Sequence, residues 1–380
     1  MIPPSDDNGG NPERPTEPVP LEPVPLEPVP PGAGLAAPLR PPPSANPPER
    51  PAPPPARAGV DTFTIEGRAA PALFVVGWLT AILGLAAVLI AFLSGSDAAP
   101  VLLIVGLVLL SVGLVAGAGS QAIERRAKGV LPYRGPSPLL VFAASVPVSI
   151  LAVIVVGVPL TLLGVEPTAP LGIVASITCQ TLVYIGLVRL LVVDVGALSW
   201  ADMGFRRPDG RALADLGGGA LWAAPVILAT LPLAAILSLV LPDVRPVSPL
   251  PPTGDTSGLL LNLVAGAILA PIGEEILFRG FATTAWARGI GARGALIRGS
   301  LFFAVAHVLT ISGANAGEAF GLAAVAFVSR IPVAFALGWL FLRRGSIWAP
   351  IGLHAAFNGI LLILAEVAMR AGAELPAVLS

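Results

Sequence analysis

From Pro71 onward, the sequence runs through one long apolar stretch after another, separated by short polar loops. That feature limits the chain more than any other. A stretch of about 20 apolar residues is long enough to cross the hydrocarbon core of a bilayer as a helix. There is no water in that core to satisfy a free N–H or C=O, so the backbone has to bond within itself, and in this setting that means helix. Nine such stretches can be read, at about 71–93, 99–119, 137–163, 169–195, 216–241, 258–284, 296–312, 317–342 and 347–369, the seventh being the shortest. The expected fold is all-α, a polytopic transmembrane helical bundle of about nine spans.

Composition agrees. Of 380 residues, 55% are hydrophobic and 12% charged, against about 25% charged in an ordinary soluble domain. A net charge of −1 and 6% aromatic residues offer neither the basic surface nor the stacking platform of a nucleic-acid-binding protein. The lone cysteine, Cys179, sits in an apolar run and reads as a small buried side chain.

The loops provide an independent check. Arg125, Arg126, Lys128 and Arg134 follow the second stretch, and Arg206, Arg207 and Arg211 follow the fourth. Arg288, Arg293 and Arg298 follow the sixth, and Arg343 and Arg344 the eighth, whereas the alternate loops hold only Arg245. Basic loops stay on the cytoplasmic side. The expected protein therefore sits in the cell membrane with its N-terminus cytoplasmic and its C-terminus outside.

Half of the 42 prolines lie in the first 55 residues, where EPVPL starts at Glu17 and again at Glu22 and nearly repeats at Glu27. Proline removes the backbone donor and fixes φ, so residues 1–65 are expected to form a disordered, extended cytoplasmic tail. Asp6 and Asp7 stand where a signal peptide would carry basic residues, so no cleaved signal is expected. The remaining divisions are five spans in 66–256, a helical core in 257–369 and a short tail at 370–380.

The sixth, seventh and ninth stretches carry polar groups that lipid disfavours. In APIGEEILFRGF, Glu275 and Arg279 are four residues apart and share a helix face, and Glu274 points about 100° away from Glu275. Glu275 should then pair with Arg279, leaving Glu274 to face a cavity. The chain's two histidines, His307 and His354, both lie in apolar stretches. Phe303 precedes His307 by four residues and should orient it, and Asn358 shares a face with His354. Counted from the basic loops, both histidines are roughly 12–14 Å deep, and Glu274 reaches a similar level.

A carboxylate beside an imidazole can activate a water, more strongly where solvent is excluded. A second imidazole and an amide can donate to an oxyanion. This set suits hydrolysis of an amide bond without a covalent intermediate. Glu274, His307 and His354 are also zinc-type ligands, but HExxH is absent, and metal-free general-base chemistry is the favoured reading.

EEILFRG, FAVAH and GSIWAPIGLHAAFN together resemble the motifs EExxxR, FxxxH and HxxxN of the CAAX protease and bacteriocin-processing (CPBP or Abi) family, over roughly residues 257–369. The resemblance implies an intramembrane endopeptidase, sometimes labelled a metalloprotease, acting on a protein or peptide that is membrane-bound or lipidated. Carried over, Glu274 and His307 act on the water, and His354 and Asn358 support the oxyanion. Arg330, midway along the eighth stretch, has no counterpart in those motifs. A non-catalytic immunity or scaffold protein and a proton-coupled transporter are the competing readings. The expected topology has a direct check: a reporter active only outside the cytoplasm should work when fused after Arg370 and stay silent when fused after Arg207.

Overall fold

The computed structural model describes residues 65–129, 131–241, 250–309 and 311–372. The proline-rich tail expected at 1–65 therefore falls almost wholly outside the described residues, as do Arg245 and most of the C-terminal tail. Every regular element among the described residues is helical. The helices are α1 (Pro71–Ser94), α2 (Ala99–Lys128), α3 (Pro138–Leu162), α4 (Pro170–Val188), α5 (Gly210–Ala220) and α6 (Ala223–Val240). They continue with α7 (Thr256–Leu263), α8 (Ala270–Glu275), α9 (Thr284–Ala306), α10 (Ala316–Arg344) and α11 (Trp348–Arg370). π-helical turns extend α4 over Arg189–Val193 and link α7 to α8 over Val264–Leu269 and α8 to α9 over Ile276–Thr283.

Among the described residues, eight helical stretches are long and apolar enough to cross a membrane. The difference from nine lies in the sixth and seventh expected spans, which are joined in a 51-residue succession, Thr256–Ala306. Gly291 turns that succession back on itself, at φ 77° and ψ 168°, a conformation an L side chain would resist. Past the turn, α9 runs antiparallel to the segment before it: Phe278 meets Phe302 and Phe303, and Gly299 faces Thr283. α10 in turn lies antiparallel to α9, with Ser300 on the Ala334 carbonyl and Gly338 against Leu296.

Prolines begin α1, α2, α3 and α4, where their missing N–H goes unmissed. Asp209, Asp255 and Asn315 cap α5, α7 and α10 with their side-chain oxygens. Large apolar side chains such as Leu85, Phe92, Leu162 and Leu239 stand exposed around the bundle, as lipid contact requires. Lipid is as apolar as leucine, so helices here associate by close fit rather than by hiding oil from water. In the α1–α2 hairpin, Gly77, Ala81 and Gly84 lie directly on the backbone around Gly106, Leu110 and Gly113.

The same device positions the acidic pair. α4 passes so close to α8 that a Cβ on Gly273 would stand 3.0 Å from the Thr181 Cα. The Thr181 hydroxyl donates to the Leu269 carbonyl over 3.0 Å, filling an acceptor in the π turn just ahead of the glutamates. Gly273→Val should therefore push α8 off α4. The expected result is a loss of about 1–3 kcal/mol of stability together with a loss of activity, with Gly273→Ala milder in both, as read by thermal unfolding of the purified protein.

Candidate active site

Glu274 and Glu275 end the short helix α8, between two π turns. Such turns add a residue per loop and re-aim the side chains around them. One result is that every residue from Glu275 to Thr283 is buried. Arg279 Nη1 donates to Glu275 Oε1 over 2.9 Å, with both side chains no more than 1% exposed. This is the pairing expected from their four-residue spacing.

The same carboxylate oxygen also receives His354 Nδ1 at 2.8 Å, from α11. Arg279 Nη2 reaches the Ala334 carbonyl of α10 at 3.4 Å, and that carbonyl also accepts from Ser300 Oγ at 3.2 Å. The Arg279 guanidinium lies over the Phe303 ring, 4.1 Å from its centroid. Phe303 also touches Phe278, His307 and His354, with centroids 5.2, 4.3 and 5.8 Å apart. It is the ring on which the site rests.

His307 caps the C-terminal end of α9 instead of lying mid-helix, since the helix stops at Ala306. Its Nδ1 lies 2.8 Å from the Phe303 carbonyl. A carbonyl can only accept, so Nδ1 carries the proton and Nε2 presents a lone pair in the neutral ring. His354 follows the same logic, because its Nδ1 faces a carboxylate. Both Nε2 atoms look at Glu274 Oε2, from 3.4 Å for His307 and 3.9 Å for His354. Neither distance is a direct hydrogen bond of good geometry. Glu274 Oε2 is itself buried without a hydrogen-bond partner among the described residues.

Three electron-rich atoms thus face one another across a small gap. What sits between them must be positive: a shared proton, the hydrogens of a water or a cation. Side-chain exposure falls from 24% at His307 to 15% at Glu274 and 6% at His354, so the opening lies on the His307 side. Zinc also takes carboxylate and imidazole ligands. Among the described residues, however, no three His, Cys, Asp or Glu side chains close into a metal-binding group. Donor atoms on a tetrahedral zinc stand about 3.4 Å apart, so Glu274 and His307 have the spacing of a shared ion, while His354, at 3.9 Å, stands back from it.

Six of the residues singled out in the sequence are therefore assembled in one place: Glu274, Glu275, Arg279, Phe303, His307 and His354. Asn358 lies one turn beyond His354 on α11. Its Nδ2 donates to the Gly266 carbonyl over 2.8 Å, tying α11 to the π turn ahead of α8. Arg330 bonds back to the Ala326 carbonyl of its own helix at 3.0 Å. Three neighbours went unforeseen. Tyr184 of α4 is buried within electrostatic reach of the Glu274 carboxylate; a tyrosine inside an apolar span was its only signal. The Ala334 carbonyl is backbone and has no signature at all. Ser300 was one hydroxyl among many.

Residues 256–360 match the family model described as Type II CAAX prenyl endopeptidase Rce1-like, which belongs to the CPBP family. No curated protein matches the chain, and no solved structure does.

The buried pair makes a sharp prediction. Arg279→Met alone leaves the Glu275 charge half compensated and should cost about 3–5 kcal/mol, whereas Glu275→Gln with Arg279→Met should recover part of that loss. Thermal unfolding of the three proteins decides it; equal destabilisation in single and double variants would mean that the charge pairing is not what matters.

Proposed function

We propose that this Rce1-like membrane protein hydrolyses a peptide bond within the bilayer, near its cytoplasmic face, with Glu274 as the base. The observation that carries the reading is the gap between Glu274 Oε2 and the two Nε2 atoms, at 3.4 and 3.9 Å. A water there donates one hydrogen to Glu274, and His307 Nε2 holds a second. Glu274 takes the proton, and the water oxygen attacks the carbonyl carbon of the substrate. The carbonyl π bond opens into an oxyanion; for this step His354 carries a second ring proton, taken from solvent before the substrate enters, and as an imidazolium it donates from Nε2. Glu275 stabilises that charge through Nδ1, as a carboxylate does in other histidine-based sites. One such donor is typically worth about 2.7–4 kcal/mol in the transition state. Glu274 then returns its proton to the leaving nitrogen, the oxyanion closes back to a carbonyl as the C–N bond breaks, and the new carboxylic acid passes its proton to the amine, so that a carboxylate and an ammonium depart.

Asn358 has a second amide hydrogen beyond the one spent on Gly266, and its share in this scheme is to support the oxyanion beside His354. The substrate class is a protein or peptide lying in the membrane, in lipidated form or not. The N-terminus lies in the cytoplasm and the C-terminus outside, as the basic loops favour.

Glu274→Gln keeps the size of the side chain and removes the base. Cleavage by the purified protein should fall about 10²–10⁴-fold while thermal unfolding is unchanged. His307→Gln should behave alike. Full cleavage by Glu274→Gln would end the proposal, and so would a cellular phenotype that survives Glu274→Ala, which belongs to a scaffold. Stoichiometric zinc in active protein, with activity lost on chelation, would move Glu274, His307 and His354 from acid–base and oxyanion roles to metal ligation.

A further inference from the structure

Arg330 is the middle residue of the 29-residue helix α10, where a charge is most costly in a membrane. The other deeply placed arginine, Arg279, is neutralised by Glu275. Arg330 makes no ion pair among the described residues. It spends one N–H on the Ala326 carbonyl of its own helix and is only partly buried. A guanidinium has five N–H donors arranged as a planar fork, which matches a carboxylate two-at-once.

Its position follows from the register of the helices. α10 is antiparallel to α9, and α9 is antiparallel to the segment carrying the glutamates, so α10 and that segment run in the same direction. They meet where Arg279 Nη2 reaches the Ala334 carbonyl. Arg330 lies four residues before Ala334, as Glu275 lies four before Arg279, so each step back is about 6 Å. Arg330 thus stands at the level of the glutamate pair, close enough to Glu274 for their charges to interact.

We propose that Arg330 binds a carboxylate of the substrate and so selects which peptide bond is brought to Glu274. The proposal rests on the peptidase reading and adds a specificity-determining residue to it. A chain end supplies one source of the carboxylate, and an Asp or Glu side chain beside the scissile bond supplies the other. In either case the anion removes the need for α10 to keep an unpaired cation at mid-membrane, and it sets the distance between itself and the bond that is cut.

The test uses the full-length protein in detergent with a set of apolar peptides. Each is made with a free C-terminal acid, as the C-terminal amide, and as the amide with one Glu placed a few residues from the end. Mass spectrometry reads the products. The native protein should cut the acids at least tenfold faster than the plain amides, mainly through KM. In Arg330→Gln that ratio should fall toward one, with Arg330→Lys in between because it keeps the charge and loses the fork. Rescue of the amide by the added Glu would assign the side-chain source; no rescue would assign the chain end. An acid-to-amide ratio near one in the native protein with no gain from the added Glu, or the same ratios in native and Arg330→Gln, would overturn the inference and leave the peptidase reading standing. If native protein and Glu274→Gln cut none of the three sets differently, the peptidase reading itself fails, and this inference with it.

Discussion

One buried oxygen, Glu275 Oε1, holds the site together. It accepts from Arg279 one turn further along its own segment and from His354 on α11, at 2.9 and 2.8 Å. A carboxylate out of water is tolerable only if it is paired and hydrogen-bonded. Both partners supply that, and each is fixed in return. Arg279 is held flat over Phe303, and His354 is held in the tautomer that presents Nε2 to Glu274. Glu275 therefore shapes the surroundings of Glu274 without touching it, through the orientation of one ring. The arrangement resembles the outer-shell partners that orient ligating histidines in metal sites.

Around this centre the polar groups are few, and the bundle relies on fit. α1 and α2 meet through glycine and alanine at backbone contact, while the site helices meet through aromatic rings and the bond between Glu275 and His354. Where the two modes adjoin, at Gly273 and Thr181, a missing side chain on α8 and a hydroxyl on α4 act together. The first sets how near the helices come, and the second fills the Leu269 carbonyl in the π turn ahead of α8.

Local relations were legible in the sequence and distant ones were not. Glu275 with Arg279 and Phe303 with His307 follow from four-residue spacing on a helix, and both hold in the structure. The separate aim of Glu274 followed from the 100° step between neighbours. By contrast, the bond between Glu275 and His354 joins residues 79 apart. No periodicity encodes that pairing; it arises from how α11 docks. The π turns also escaped, because shifting from four to five residues per bond leaves an apolar pattern nearly intact. Gly291 could be read as a glycine among arginines, but whether it bends a helix or merely sits in one depends on φ. Asn358 shares a face with His354 as expected, yet the backbone carbonyl of Gly266 is what its amide finds, and carbonyls leave no mark in a sequence.

The 79-residue gap also has a consequence for biosynthesis. A nascent chain places Glu275 in or near the lipid before the helix bearing His354 has been made. During that interval Arg279, one turn away, is the only partner the glutamate has. The short-range ion pair is thus an escort for the charge through insertion, and the imidazole arrives later at an acceptor already held in place. Glu274 has no such local companion, so its surroundings are complete only when the final helix docks. The surroundings of Glu274 are then the last part of the site to mature, and a ribosome-bound fragment lacking α11 carries Glu274 without the His354 imidazole that faces it.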